Sequence, residues 1–345
     1  MCRRTPAPKW LLWAAIGMSF MGATTAADVE HPPGTLDRLW SFKGPWTGVA
    51  ADEASGRIYA LGTRGALAEL DVEGNAVRTL ELPGADGKIL RLAEFGAEKG
   101  TALLTFRVWG GRDLRVHDLA GKALWSYRKG TGIDDVWADD LDGDGKEEVI
   151  VGYNGSTGLH VLDIEGKILW TSTGVGNVWS VHVGHLSNRD GSPDVIVTSG
   201  KRLEVFAGDG ALLRSLDPGC LPHMNRIVEP SGTAGRATVI VACGAGGRNE
   251  TMSALDGDGT KRWSLALPGD AEPRVATASV APGRPWIAIG SGSVYVLDTD
   301  SGKILASVSD QGHIPELAWA TKAGDSSPLL LVATGKEVAA YRVTP

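Results

Sequence analysis

"LHVLDIEGKILW", Leu159 to Trp170, holds two short apolar-alternating runs on either side of Asp163 and Gly166. Alternation of period two is a strand signal, and two such runs around a turn carrying Asp and Gly make a hairpin. The phrase returns as "LRVHDLAGKALW" (Leu114 to Trp125) and "VYVLDTDSGKILA" (Val294 to Ala306). Looser copies are "LAELDVEGNAV", "VFAGDGALL" and "SALDGDGTKRW". The turn glycines Gly74, Gly121, Gly166, Gly210, Gly259 and Gly302 stand 47, 45, 44, 49 and 43 residues apart. A period near 45 built from strands is that of a four-stranded propeller blade. Helical repeats share the period, but 47 glycines and short β-rich runs speak against helices.

Six hairpins are complete, and the two ends read as halves of a seventh. "KEVAAYRV" (Lys336 to Val343) matches the strand before the turn, and "GTLDRLWSF" (Gly34 to Phe42) the strand after it. Pairing them would leave no open sheet edge. The expected fold is therefore all-β: a seven-bladed β-propeller of four-stranded antiparallel blades, closed by the N- and C-terminal strands.

"DLDGDGKEEVIVG" (Asp140 to Gly152) puts a carboxylate loop in front of a strand. Asp140, Asp142 and Asp144 take positions one, three and five, Lys146 can offer its carbonyl at seven, and Glu148 closes at nine. Hard oxygens at that alternation suit calcium, which takes six to eight of them. The competing reading is a solvated acidic turn. "HLSNRDGSPD" (His185 to Asp194), the equivalent stretch one blade on, keeps Asp190 and Asp194 and is expected to bind nothing.

At these residues a resemblance enters. Asp118–Trp125 and Asp163–Trp170 resemble the repeat of PQQ-like (quinoprotein-type) propellers, and the carboxylate loop resembles the FG-GAP/VCBS repeat of integrin-like propellers. The resemblance implies a propeller with calcium at a loop of the lower face, and its name does not imply the quinone. The vicinal cysteine pair of longer quinoprotein dehydrogenases is missing from this chain, so no PQQ is expected.

Arg3, Arg4 and Lys9, an apolar stretch from Trp10 to Met21 and the small residues Thr25-Ala26-Ala27 form a secretory signal pattern. Residues 1–27 are expected to be cleaved, leaving a single domain over 28–345 that is secreted or periplasmic. Without the signal, 31 basic residues face 41 acidic ones, a net charge of −10. That argues against nucleic acid or an anionic membrane as partner, and membrane insertion is not expected. A monomer is expected. Cys220 and Cys243 fall at strand ends that return to one face of a blade, and the expected compartment permits a bridge between them.

Loops that lead into each first strand converge on the upper face. They present Asp134, Asp135, Asn177, His223, Asn225, Glu272, Arg274, His313 and Glu316, a set that could bind a polar ligand or do acid–base work. Exposed propeller loops are polar in any case. Trp40, Trp125, Trp170 and Trp263, which follow the repeat turns, read as packing between blades, as do Trp137, Trp179 and Trp319. The leading function is a non-catalytic exported propeller that binds a protein or carbohydrate partner. The rivals are a lyase or hydrolase working in the upper funnel and an integrin-like adhesion module.

Overall fold

The computed structural model describes residues 32–345 except 109, 188–190, 230–236, 245–249, 268–272, 280–284 and 322–327. The signal-like segment, Asp190 and Glu272 lie outside the described residues. β1 is Gly34–Lys43. Five four-stranded antiparallel sheets follow, each with strands in chain order. The first is β2 (Trp46–Asp52), β3 (Arg57–Gly62), β4 (Ala66–Leu70) and β5 (Ala76–Glu81), and the second β6 (Ile89–Glu94), β7 (Thr101–Phe106), β8 (Asp113–Asp118) and β9 (Ala123–Arg128). The third is β10 (Ile133–Asp139), β11 (Glu148–Tyr153), β12 (Leu159–Leu162) and β13 (Ile168–Ser172). β14 (Val178–Gly184), β15 (Asp194–Ser199), β16 (Arg202–Ala207) and β17 (Leu212–Leu216) form the fourth. The fifth is β18 (Pro222–Val228), β19 (Thr238–Cys243), β20 (Thr251–Asp256) and β21 (Lys261–Ala266).

The remaining strands are β22 (Arg274–Ser279), β23 (Pro285–Asp298), β24 (Ile304–Gly312), β25 (Glu316–Ala320), β26 (Leu329–Ala333) and β27 (Glu337–Thr344). With β1 they make one seven-stranded sheet, ordered β22-β23-β24-β1-β27-β26-β25. β23 does the work of two strands: Pro285–Gly290 pairs with β22, and Gly292–Leu297 pairs with β24. β1 runs antiparallel to β27 from Thr35↔Thr344 to Lys43↔Glu337, and touches β24 in parallel at Gly34 and Thr35 only. First strands neighbour one another in the cyclic order β2, β6, β10, β14, β18, β22, β25 and back to β2. Multiple four-stranded antiparallel sheets around a common centre are the architecture of a β-propeller.

Burial follows radius. Every residue of β11 is buried, whereas the outer strand β5 is exposed at nearly all its positions. Cores lie between neighbouring sheets: Ile150 and Val161 pack against Val181 and Val195, and Ile58 and Leu70 against Leu331 and Val338. A fully buried Val, Leu or Ile stabilises by about 1.5–3 kcal/mol, so these layers supply most of the cohesion.

Tryptophans on four of the outer strands each stitch a sheet to the next. Trp125 on β9 donates its indole N–H to the Ile164 carbonyl at 2.9 Å, and Trp170 on β13 donates to Gly208 at 2.8 Å. Trp40 does the same to Val72 and Trp263 to Thr299, at 2.9 and 2.8 Å. Gly166 shows why the turn needs glycine twice over. Its φ is +77°, and a Cβ there would lie 2.9 Å from the Trp125 ring. Cys220 and Cys243 are bonded with Cα atoms 5.8 Å apart, tying the chain just before β18 to the end of β19.

Candidate functional site

The first strands line a central channel with two mouths. At their leading ends, the upper mouth, lies a cavity of about 50 Å3 bounded by Asp134, Asp135, Ser180, His223, Arg226 and Arg274 among others. Such a volume holds a few ordered waters at most. At their trailing ends the channel opens into a space of about 460 Å3 that includes Trp137, Asp139, Glu147 and Trp319. Arg91, Arg226, Val275 and Glu316 border both spaces and form the waist between them.

Two ion pairs cross the waist, each reaching past an intervening first strand. Arg91 Nη1 on β6 lies 2.9 Å from Glu316 Oε2 on β25, and Arg226 Nη1 on β18 lies 3.5 Å from Asp135 Oδ2 on β10. The first contact is charge-to-charge and falls short of hydrogen-bond geometry, which leaves Glu316 Oε2 and Arg91 Nε buried without a hydrogen bond. Burial works against the Arg91 charge, but Glu316 and Asp135 outweigh it and hold the guanidinium above its ordinary value. Burial also pushes the Glu316 carboxyl up, and Arg91, Arg274 and Arg226 pull it part of the way back. Arg226 is drawn down by burial, with Asp135 resisting. Both guanidiniums also face the Trp137 ring, at 5.5 and 5.1 Å from its centroid.

Asp135 has little capacity left for a ligand. It accepts from the backbone N–H groups of Val136 at 3.0 Å and Val181 at 3.1 Å, and from Ser180 Oγ at 3.2 Å. Ile227 N–H donates to His182 Nδ1 at 3.1 Å, so the neutral ring carries its proton on Nε2. Burial, with Arg226 and Arg91 nearby, holds the His182 pKa well below its ordinary value. Its ring lies 4.1 Å from that of Trp137.

Of the upper-loop residues read from sequence, Asp134, Asp135, His223, Arg274 and Glu316 meet at the small cavity. His223 Nε2 sits 2.6 Å from Glu250 Oε2, a buried pair that sequence reasoning did not suggest. Asn225 is fully buried, its amide donating to the Ser180 carbonyl at 3.2 Å. Asn177 accepts from Gly155 N–H at 2.5 Å, and His313 is exposed and lines neither space. Sequence reasoning also passed over Arg91, Arg226 and Ser180. The signal for the arginines was a lone cation inside an apolar first strand, in "ILRLAE" and "NRIV".

The carboxylate loop joins β10 to β11. Single ligand oxygens of Asp140, Asp142 and Glu148 lie within 4.8 Å of one another. Asp140 also accepts from Gly143 and Gly145 N–H at 2.7 and 2.9 Å, and Glu148 from Leu141 N–H at 2.9 Å, which sets the loop's curvature. Asp144 is not gathered with them. Its carboxylate takes the Lys146 ammonium at 2.7 Å. Burial lifts Glu148 to about 7, with Asp142, Asp140 and Asp144 adding to it. Asp194, in the equivalent place one sheet on, instead accepts from Leu186 N–H, Ser187 N–H and Ser187 Oγ.

Residues 111–201 match a family described as the Lambda-carrageenase beta-propeller domain. The match covers about a quarter of the chain, from β8 through β15, and contains the whole carboxylate loop. It is a likeness to a propeller domain, in agreement with the sheets. No curated protein matches the chain.

Proposed function

We propose that the chain is an exported, non-catalytic propeller of seven blades that binds a carbohydrate or protein partner and carries one structural calcium loop. Seven blades are supported by the cyclic order of first strands and by the seven-stranded sheet, read as two blades of which β1 completes the second. The repeats would be of the PQQ-like type, with one loop of the FG-GAP/VCBS type.

One observation carries the non-catalytic part. The charged groups of the upper funnel are engaged with one another around about 50 Å3, so they act as a polar plug between blades. Between the two partner classes, the likeness to a lambda-carrageenase propeller domain favours the carbohydrate. Asp140, Asp142 and Glu148 fit a hard cation in donor type and spacing. Calcium there would neutralise the loop's clustered charge and hold it against β11.

The test is retention on polysaccharide beads and capture of exported proteins, run beside a screen for polysaccharide cleavage. Retention without products supports the reading, and turnover contradicts it. A second reading, an enzyme at the upper mouth, has one observation in its favour: the His223–Glu250 pair borders the cavity beside Arg274. In that case His223→Gln would abolish turnover while leaving the fold intact.

A further inference from the structure

Charge is divided unevenly between the two faces. The carboxylate loop lies at the trailing ends of the first strands, and the chain as a whole carries a net charge of −7. The upper end of the second sheet has the opposite sign. Lys88 leads into β6, Arg107 follows β7, Arg112 and Arg115 stand around the start of β8, and Arg128 and Lys129 close β9. Among the described residues of this end, Asp86 and Asp113 oppose those six cations, which leaves a net charge of +4, six less two. Val108, beside Arg107, borders the small upper cavity, so the basic surface reaches the upper mouth.

These side chains reach solvent from a braced backbone. Arg107, Arg115 and Arg128 are 43%, 36% and 68% exposed, and Lys88 and Arg112 are exposed as well. Lys88 N–H donates to the Phe106 carbonyl at 2.9 Å, which sets it beside the end of β7. Gly111 N–H donates to the Arg107 carbonyl at 3.1 Å, and Ile133 N–H to the Gly111 carbonyl at 2.8 Å, so the loop carrying Arg112 is fastened to the third sheet. The two acids are already engaged. Asp113 lies 3.1 Å from Arg115 and 2.8 Å from Arg128, and Asp86 lies 3.9 Å from Arg107. Lys88 and Arg112 meet no acid among the described residues. A guanidinium fork takes two oxygens of a carboxylate or sulfate at once. Cations gathered apart from the acids set up a local field that attracts a polyanion the whole chain would repel.

We infer that the upper end of the second sheet is a recognition surface for the acid groups, carboxylate or sulfate, of a polyanionic glycan. The inference rests on the proposed carbohydrate-binding function and names the surface and the ligand class within it.

Calorimetry on the full chain tests it with two pairs of polymers that share a backbone: polygalacturonate with its methyl ester, and dextran sulfate with dextran. At about 10 mM salt, at least one acidic member should bind roughly tenfold or more tighter than its neutral counterpart, the worth of a few exposed ion pairs formed together. At about 1 M salt, where the Debye length is about 3 Å, the gap should close. Which acidic member binds tells carboxylate from sulfate. Lys88→Glu/Arg112→Glu takes the surface from +4 to 0 and should close most of the gap while the melting temperature holds. Lys122→Glu/Lys167→Glu changes the net charge of the chain equally, at exposed turns of the lower face, and should keep the gap. An acidic polymer bound no tighter than its neutral counterpart at low salt overturns the inference, as does a Lys122→Glu/Lys167→Glu chain that loses as much as Lys88→Glu/Arg112→Glu. Polyglutamate bound as tightly as the acidic glycans would make the surface a site for polyanions in general and overturn the glycan assignment. If neutral and acidic members bind alike, the surface assignment falls and carbohydrate binding stands. If no polymer of the set binds, the surface assignment falls, and carbohydrate binding falls with it only where the polysaccharide beads also retain nothing.

Discussion

Breaking the Arg91–Glu316 pair from one side should destabilise the fold strongly, and how the loss varies with pH should reveal which partner remains. The pair spans 2.9 Å, with side chains only 16% and 7% exposed. Removing one member of such a pair leaves an uncompensated buried charge, at about 3–5 kcal/mol. In Arg91→Met the stranded group is Glu316, which burial already pushes up and which then loses its closest cation. Its folded pKa would stand above the unfolded one. The folded state then binds the extra proton, and stability recovers as pH falls through the folded pKa. The deficit should therefore be largest near pH 8 and shrink towards pH 5. Glu316→Leu strands Arg91 instead, which cannot give up its proton, and removes a carboxyl that burial holds up in the folded chain, so that deficit should not shrink as pH falls over the same range. The double variant Arg91→Met/Glu316→Leu should cost no more than either single variant, a coupling of about 3 kcal/mol or more. Urea unfolding of the four proteins at three pH values measures all of this. Single variants that each cost less than about 1 kcal/mol, as a solvated surface pair would, refute the picture of a dry, plugged waist.

Calcium at about a hundred times its dissociation constant should stabilise the fold by about 2.7 kcal/mol. Asp142→Ala should erase the accompanying rise in melting temperature. Asp144→Ala, whose carboxylate is turned to Lys146, should keep most of it, and identical curves in calcium and chelator would leave only an acidic turn. His182 is held neutral by burial beside Arg226 and Arg91, so the unfolded chain gains a proton below the ordinary histidine value that the folded chain refuses. Its contribution is complete above about pH 6.5 and is lost as pH falls, with a slope of up to about 1.4 kcal/mol per pH unit. Wild type minus His182→Asn, measured from pH 7.5 to 5, isolates it from the buried carboxylates, which act in the opposite sense, and a flat difference would contradict it. Deleting residues 336–345 removes β27 and strips β1 of its antiparallel partner. The truncated chain should melt far lower and aggregate through the exposed edge, and an unchanged melting curve would mean that the pairing contributes little.

The repeat was legible because each turn glycine has a steric reason that composition cannot hide. Gly166 takes a left-handed backbone and lies under an indole from the neighbouring sheet, so the motif that marks the hairpin also marks the contact between sheets. The ends were legible for a similar reason, since their alternation matched the two strands missing from one sheet. β23 was harder. "IGSGSVYV" has so short a turn that two strands run together as one element. The site was less legible, because polar residues stand out in loops while the charges that meet across the channel lie inside strands. Arg91 and Arg226 are single cations among aliphatics, and only the closure of the ring brings them to acids from non-adjacent strands. In the carboxylate loop, Asp144 takes position five of the calcium pattern and its carboxylate accepts from the Lys146 ammonium two residues on.

Binding without turnover is best tested by following one sample in two ways. The purified protein is incubated with chitin, cellulose and agarose in turn, recording the fraction of protein retained and the number of new polymer ends released. Retention on at least one polymer, with no new ends over a prolonged incubation, is the expected result. New ends that accumulate in proportion to protein, and disappear with His223→Gln, would make the molecule an enzyme and contradict the reading of its upper funnel as a plug.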